Sequence, residues 1–336
     1  MIPNIALMEE IFNKKLAKVC YMGTDGIEKR LLKDYDCPYY TIACPKLIRG
    51  GGVKGLARNL RIPSDFARAK KQALDGLKKL KPDLVFSKGG YVALPVVFAA
   101  HKLGIPCLAH ESDLSAGLAN RLCAKKCETL FTSFPETAEK FKNGQYSGAP
   151  IRPAVFHPAR NEARKKFGIP LKEKVLLIFG GGSGSKAINE AVRSHLQTLT
   201  KKYVILHACG KGNLVESKNK RYLQFEFIED MGMAYACADG VVSRSGAGTV
   251  FEILALKKPA LFVPLEGQTR GDQTENAEYF MFKGLCHMLK QNELSALPAA
   301  VDTLMQDENL KARLAHTDFN RGNEVILREI FKVLGI

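Results

Sequence analysis

No tryptophan occurs in this chain, no two of its nine cysteines stand as Cys-x-x-Cys, and no apolar run approaches a membrane span. The longest such run, Val92 to Ala100, is broken by Pro95 and closed by His101 and Lys102; a spanning helix needs roughly 20 residues. No secretory leader is read at the start, where Met1-Ile-Pro-Asn runs into an amphipathic stretch with Glu9 and Glu10. Scattered cysteines in a long chain read as reduced packing residues, so neither a disulfide framework nor a zinc site is expected. Acids are also scarce: 34 against 50 basic residues give a net charge of +16. The imbalance is local. Between Lys46 and Lys81 stand eleven Lys or Arg but only Asp65 and Asp75. A segment so one-sided suits a polyanionic partner such as an anionic membrane surface or phosphates, although any single lysine there is more simply a solvated one. Phe66 is its only aromatic residue, which weighs against single-stranded nucleic acid, so no nucleic-acid partner is expected.

What is present is alternation. Apolar runs of strand length recur at 18–22, 83–87, 105–109, 129–132, 175–179, 204–208, 240–243 and 260–264, with amphipathic segments between them. That pattern predicts an α/β protein of parallel sheets with crossover helices. At 336 residues two domains are expected, with a boundary near Gly148-Ala-Pro-Ile-Arg-Pro153. The spacing of Val325, Leu327, Ile330, Phe331 and Leu334 predicts a final helix over 323–334.

Ligands on such sheets sit beyond the carboxyl ends of strands, so the turns carry the functional information. Lys88-Gly-Gly-Tyr91 follows one strand and by itself is a structural turn. His110-Glu-Ser-Asp113 follows another; three titratable groups together point to a site in which mutual interaction tunes a base. Gly180-Gly-Gly-Ser-Gly-Ser185 joins a strand to a helix start, where unpaired amides favour a pyrophosphate. Its glycines miss the G-x-G-x-x-G spacing, which counts against a nicotinamide dehydrogenase. Phe227-Ile-Glu-Asp-Met231 reads as a strand end and helix cap. Ser243-Arg-Ser-Gly-Ala-Gly-Thr-Val-Phe-Glu252 adds a small-residue turn and a helix carrying Glu252, which could accept hydrogen bonds from a sugar diol. Asp272-Gln-Thr-Glu-Asn276 completes the set. These are the parts of a nucleotide-sugar site.

Taken in order, these motifs resemble the MurG family, the peripheral membrane glycosyltransferases that complete the lipid-linked disaccharide of bacterial peptidoglycan. The carriers are Lys88–Tyr91, His110-Glu-Ser-Asp-Leu-Ser-Ala-Gly-Leu-Ala-Asn120, Gly148–Arg152 and the four turns of the second half. The resemblance implies a GT-B fold, two Rossmann-like domains facing across a cleft: residues 1–152 plus 320–336 for acceptor and membrane, 153–319 for UDP-N-acetylglucosamine. It also implies that the last helix returns to the first domain. Glu252 would hold the ribose hydroxyls. Ile228 would meet uracil through its backbone, with Arg152 nearby. Ala247, Gly248, Thr249, Gly182 and Ser183 would take the phosphates, and Gln273 and Asn276 the N-acetylglucosamine hydroxyls. Asn120 belongs to the acceptor stretch, and the 46–81 segment would face anionic lipid and the acceptor's pyrophosphate. The implied location is the cytoplasmic face of the bacterial membrane.

The implied reaction inverts the anomeric carbon as the 4-hydroxyl of lipid-linked N-acetylmuramyl-pentapeptide attacks. Amides at helix starts can stabilise the departing diphosphate, so no metal and no cofactor is expected. The candidate bases are Asp113, Glu111 and His110, in that order. Asp113 stands where many members carry Asn, and Ser183 is displaced one position by Gly182. Members begin with a strand and a Gly-Gly-x-x-Gly-His turn; Ile2–Leu7 here matches the family's segment just after that turn. The match implies a start placed late or a fragment, with a gap inside the first parallel sheet. The rival readings are a non-catalytic nucleotide-sugar module, a related glycolipid glycosyltransferase and a UDP-N-acetylglucosamine 2-epimerase.

Overall fold

The computed structural model describes residues 2–33, 35–44, 59–60, 62–266, 272–319 and 321–336. The chain divides into two compact units, residues 1–152 with 320–336 and residues 153–319. Most of the first half of the basic 46–81 segment, namely 46–58 and Arg61, lies outside the described residues.

Among the described residues the first unit holds six strands: β1 Tyr21–Gly23, β2 Tyr39–Thr41, β3 Val85–Ser87, β4 Cys107–Glu111, β5 Thr129–Thr132 and β6 Gly144–Tyr146. All pairings are parallel. Among the described residues they make two separate ladders, β1-β2 and β3-β4-β5-β6. Two apolar layers bridge them. On one side Ala73 and Leu77 of helix Ile62–Leu80 and Val97 of helix Ala93–Lys102 pack with Met22, Val85 and Cys107. On the other, Leu7 and Ile11 of helix Ile2–Asn13 join Ile326 and Ile330 of helix Gly322–Leu334 against Val19, Phe86 and Phe131. Asn323 fastens this last helix: its Oδ1 accepts from the Ile151 amide at 2.8 Å, and its Nδ2 donates to Glu10 at 2.6 Å.

β4 runs two residues further than its apolar pattern predicts. His110 and Glu111 are its last residues, paired with Phe131 and Thr132 of β5, and both are buried. They sit on the strand, not in the turn after it, because each finds side-chain partners that offset burial of a polar group. The short outer strands β2 and β6 were invisible to periodicity: too few residues alternate, and most are half-exposed.

The second unit holds β7 Val175–Phe179, β8 Val204–Ala208, β9 Tyr222–Phe225, β10 Gly240–Ser243, β11 Ala260–Phe262 and β12 His287–Met288. They form one parallel sheet in the order β12-β11-β10-β7-β8-β9. β7 and β10 are covered on both faces and read as continuous apolar runs; each wholly buried Leu or Ile there contributes about 2–3 kcal/mol. The chain winds outward from β7 to β9, then returns to the other side of β7 with β10. The strand order therefore reverses between β7 and β10, where sheets of this kind take their ligands.

Candidate functional site

Both glycine turns of the second unit leave the sheet at that reversal, one after β7 and one after β10. Gly181 and Gly184 adopt φ of +90° and +78°, and a Cβ on Gly184 would overlap the Cys209 carbonyl oxygen. Glycine is needed there for packing. Gly182 differs: nothing lies within 4 Å of the place a Cβ would take, and with exposed Ser183 it forms the open lip. Ser185 caps helix Lys186–Ser194, its hydroxyl accepting from the Ile188 amide.

After β10, Gly246 precedes helix Ala247–Ala255, which has no side-chain cap. The amides of Ala247, Gly248 and Thr249 therefore begin the helix without intrahelical acceptors, and open space surrounds Gly246 and Gly248. Positive dipole ends of this kind favour a phosphate. Glu252, one turn on, is 6% exposed. The Tyr235 hydroxyl reaches its Oε2 at 3.4 Å, and the Tyr235 ring meets Phe179, the residue before the first turn, edge-on at 6.1 Å.

Arg244 binds these turns together. Its Nη2 donates to Ser185 Oγ at 2.8 Å and to Gln291 Oε1 at 2.6 Å; its Nη1 donates to the carbonyls of Val263 and Pro264 beyond β11. Arg244 is 8% exposed and held by neutral acceptors, so its charge stays under the two glycine turns. Burial draws its pKa down, with Glu266 opposing. Ser245 donates to the Gln273 carbonyl at 2.8 Å, and Gln273 Oε1 accepts from the Leu265 amide at 3.0 Å. That leaves the Gln273 NH₂ for a ligand, while Asn276 is wholly buried one turn later. On the far side, the turn after β8 packs on Ser183 through Gly210, and Gly210 bonds the Glu226 carbonyl beside buried Ile228. The turns after β7, β8, β9, β10 and β11 thus form one rim.

The first unit has a different kind of polar centre, at the ends of β3 and β4. His110 Nε2 lies 3.1 Å from the Gly148 carbonyl. A carbonyl only accepts, so Nε2 carries the proton and Nδ1 is bare. Nδ1 then accepts from the Lys88 ammonium at 2.5 Å, and Ser112 Oγ is the ammonium's other partner. Burial, then the Lys88 charge, holds the imidazole well below its ordinary pKa, with the Gly148 bond opposing. Burial likewise pulls Lys88 down to about 8, against the attraction of Glu111 and Asp113. Glu111 spends its carboxylate on the loop: Oε1 accepts from the amides of Ser112 and Asp113, Oε2 from Gly117 and Asn120. His110 and Glu111 are therefore engaged in structure. Asp113, half-buried, stands beside them at the mouth of the strands. Arg152 ends the first unit, next to the Ile151 backbone that Asn323 holds.

Sequence reasoning overlooked Lys88 and Arg244. Each had a signal: a lysine between an apolar strand and Gly-Gly, and an arginine flanked by serines at the end of another apolar strand. The one Asp-x-Asp spacing, Asp34-Tyr35-Asp36, lies in the first unit; Asp34 is outside the described residues, and Tyr35 bonds Glu9 at 2.8 Å. No group of three metal-ligating side chains occurs among the described residues. A hollow of about 400 Å³ lined by His101, Pro106, Lys126 and Glu128 sits at the other end of β4 and β5, away from these centres.

A doubly wound sheet with glycine turns and an uncapped helix start at its reversal, plus a second α/β unit, is the GT-B architecture, and the matching family models make the chain a glycosyltransferase of that class. Residues 1–132 match the glycosyltransferase family 28 N-terminal domain and residues 175–327 the family 28 C-terminal domain. The chain belongs to the MurG family within it. It is 42% identical over 301 residues to a UDP-N-acetylglucosamine–N-acetylmuramyl-(pentapeptide) pyrophosphoryl-undecaprenol N-acetylglucosamine transferase of Clostridium kluyveri, covering 87% of this chain and 84% of that one. A transferase of the same description from Clostridium botulinum strain Kyoto is 38% identical over 95% of this chain and 88% of its own. The crystal structure of Acinetobacter baumannii MurG superposes with a TM-score of 0.71 at 29% identity, covering 97% of this chain and 94% of that one. A UDP-N-acetylglucosamine 2-epimerase from Neisseria meningitidis shares only the fold, at 15% identity and a TM-score of 0.60.

Proposed function

We propose that this protein transfers N-acetylglucosamine from UDP-N-acetylglucosamine to the 4-hydroxyl of lipid-linked N-acetylmuramyl-pentapeptide, with inversion, in peptidoglycan synthesis. The second unit takes the donor and the first the acceptor. The observation that carries the reading is the Arg244–Ser185 bond, which makes one anion-binding rim of two glycine turns in a chain 42% identical to a named transferase of this kind. Amides at 247–249 and 182–183 receive the diphosphate, and Glu252 takes the ribose diol. Ile228 offers backbone to uracil. Gln273 and Asn276 read the sugar. As the glycosidic bond to UDP breaks, charge grows on the leaving oxygen; fixed dipoles and buried Arg244 stabilise it without reorganising. The acceptor proton goes to Asp113, the half-buried carboxylate at the mouth of the strands.

The protein works at the cytoplasmic face of the bacterial membrane as a peripheral enzyme. No described helix is long and apolar enough to cross a bilayer. Helix Ile62–Leu80 buries Ala69, Ala73 and Leu77 and leaves Arg68, Lys71, Lys78 and Lys79 exposed, which suits anionic headgroups. The test is turnover: labelled N-acetylglucosamine should pass from UDP to the lipid acceptor, with UDP released only when acceptor is present. UDP release or epimerised sugar without acceptor would support the epimerase instead.

A further inference from the structure

The centre at the ends of β3 and β4 contains a cation and an acceptor that the protein leaves unused. Among the described residues the Lys88 ammonium is held by His110 and Ser112, both neutral. No carboxylate among the described residues forms an ion pair with it; of the two that attract it, Glu111 and Asp113, Glu111 already takes four N–H donors. Across the same turn, Asn120 is 4% exposed. Its Nδ2 donates to the His110 carbonyl and to Glu111 Oε2. Two acceptors fix the amide's orientation, so its Oδ1, buried and without a hydrogen-bond partner, is an unused acceptor. Between the two groups run Gly89 and Gly90, at φ +81° and +85°. A Cβ on Gly89 would overlap Asn120 Oδ1, while open space surrounds Gly90. A charged donor and an orphan acceptor thus flank backbone bare of side chains, at strand ends where ligands bind.

We propose that Lys88 is the cationic anchor for a diphosphate oxygen of the acceptor. The proposal rests on the acceptor reading above and adds a residue to it. Near neutral pH the ammonium is charged; deprotonation near pH 8 removes the anchor.

The probe is inorganic pyrophosphate, titrated by calorimetry with UDP saturating, so that the donor's own diphosphate rim is occupied. The affinity of the unmodified protein should fall roughly tenfold between about pH 7 and pH 9. Lys88→Met should lose a similar factor at pH 7 and show a smaller pH step, whereas Lys88→Arg retains binding. In turnover, Lys88→Met should raise the acceptor KM and leave the donor KM unchanged. Unaltered pyrophosphate affinity in a folded Lys88→Met overturns the proposal. If that variant does not fold, equal affinity at both pH values in the unmodified protein overturns it. Failure to bind UDP or to transfer sugar would sink the functional reading instead, and the pyrophosphate titration would still decide the role of Lys88.

Discussion

The two units solve opposite electrostatic problems. In the second, the candidate site is backbone: glycine amides and a helix start, with a buried cation, Arg244, netted by carbonyls, a hydroxyl and an amide. In the first it is side chain: Lys88, His110, Glu111 and Asp113 crowd the ends of two strands. Fixed dipoles suit a leaving diphosphate, whose charge must be met without proton movement. Titratable groups suit an attacking hydroxyl, whose proton must go somewhere. On the proposed function, one protein separates the two tasks by building one site from amides and the other from acids and bases.

That contrast breaks most visibly at Glu111. Glu111→Ala strands four N–H groups and should destabilise the first unit by about 3–5 kcal/mol, read by chemical denaturation; no loss would mean the carboxylate does not organise the loop. Next comes Gly184→Ala, which forces a Cβ into the Cys209 carbonyl at φ +78° and should cost about 2–4 kcal/mol. In the same turn Gly182→Ala meets nothing and should leave stability within about 0.5 kcal/mol while weakening UDP. Equal melting temperatures for the two variants would refute the division between a packed and an open glycine. Glu252→Ala should reduce UDP affinity roughly a hundredfold by calorimetry and leave pyrophosphate binding in the first unit alone.

A further effect concerns pH. His110 and His207 are both buried and neutral, burial being the first cause; His207, also beside Arg193, is lowered to about 3. A depressed histidine binds its proton more readily when unfolded. Stability should therefore fall as pH drops below the unfolded value near 6.5, by about 1.4 kcal/mol per pH unit for each. His207→Gln should remove part of that slope; an unchanged slope would mean that His207 does not stay neutral.

Much of the fold was legible because buried parallel strands are written as unbroken apolar runs: 129–132, 175–179, 204–208 and 240–243 match β5, β7, β8 and β10. The outer strands β2, β6, β9 and β12 are short and partly wet, so nothing in their pattern separates them from loop. The glycine turns were visible as spacing. What spacing cannot express is which polar groups spend themselves on the protein. Glu111 and Asp113 look alike in sequence, and only the amides converging on Glu111 distinguish them. Likewise Lys88 precedes two glycines and reads as part of a structural turn until His110 and Ser112 are found around it.

The proposed donor site requires the turns after β7 and β10 to act as one rim for UDP. Backbone amide shifts during a UDP titration test this most directly. Residues 181–184 and 246–249 should move together and saturate with a single Kd, with Ile228 moving alongside them and NAD producing no such response. Shifts confined to one turn, or two turns saturating independently, would contradict it.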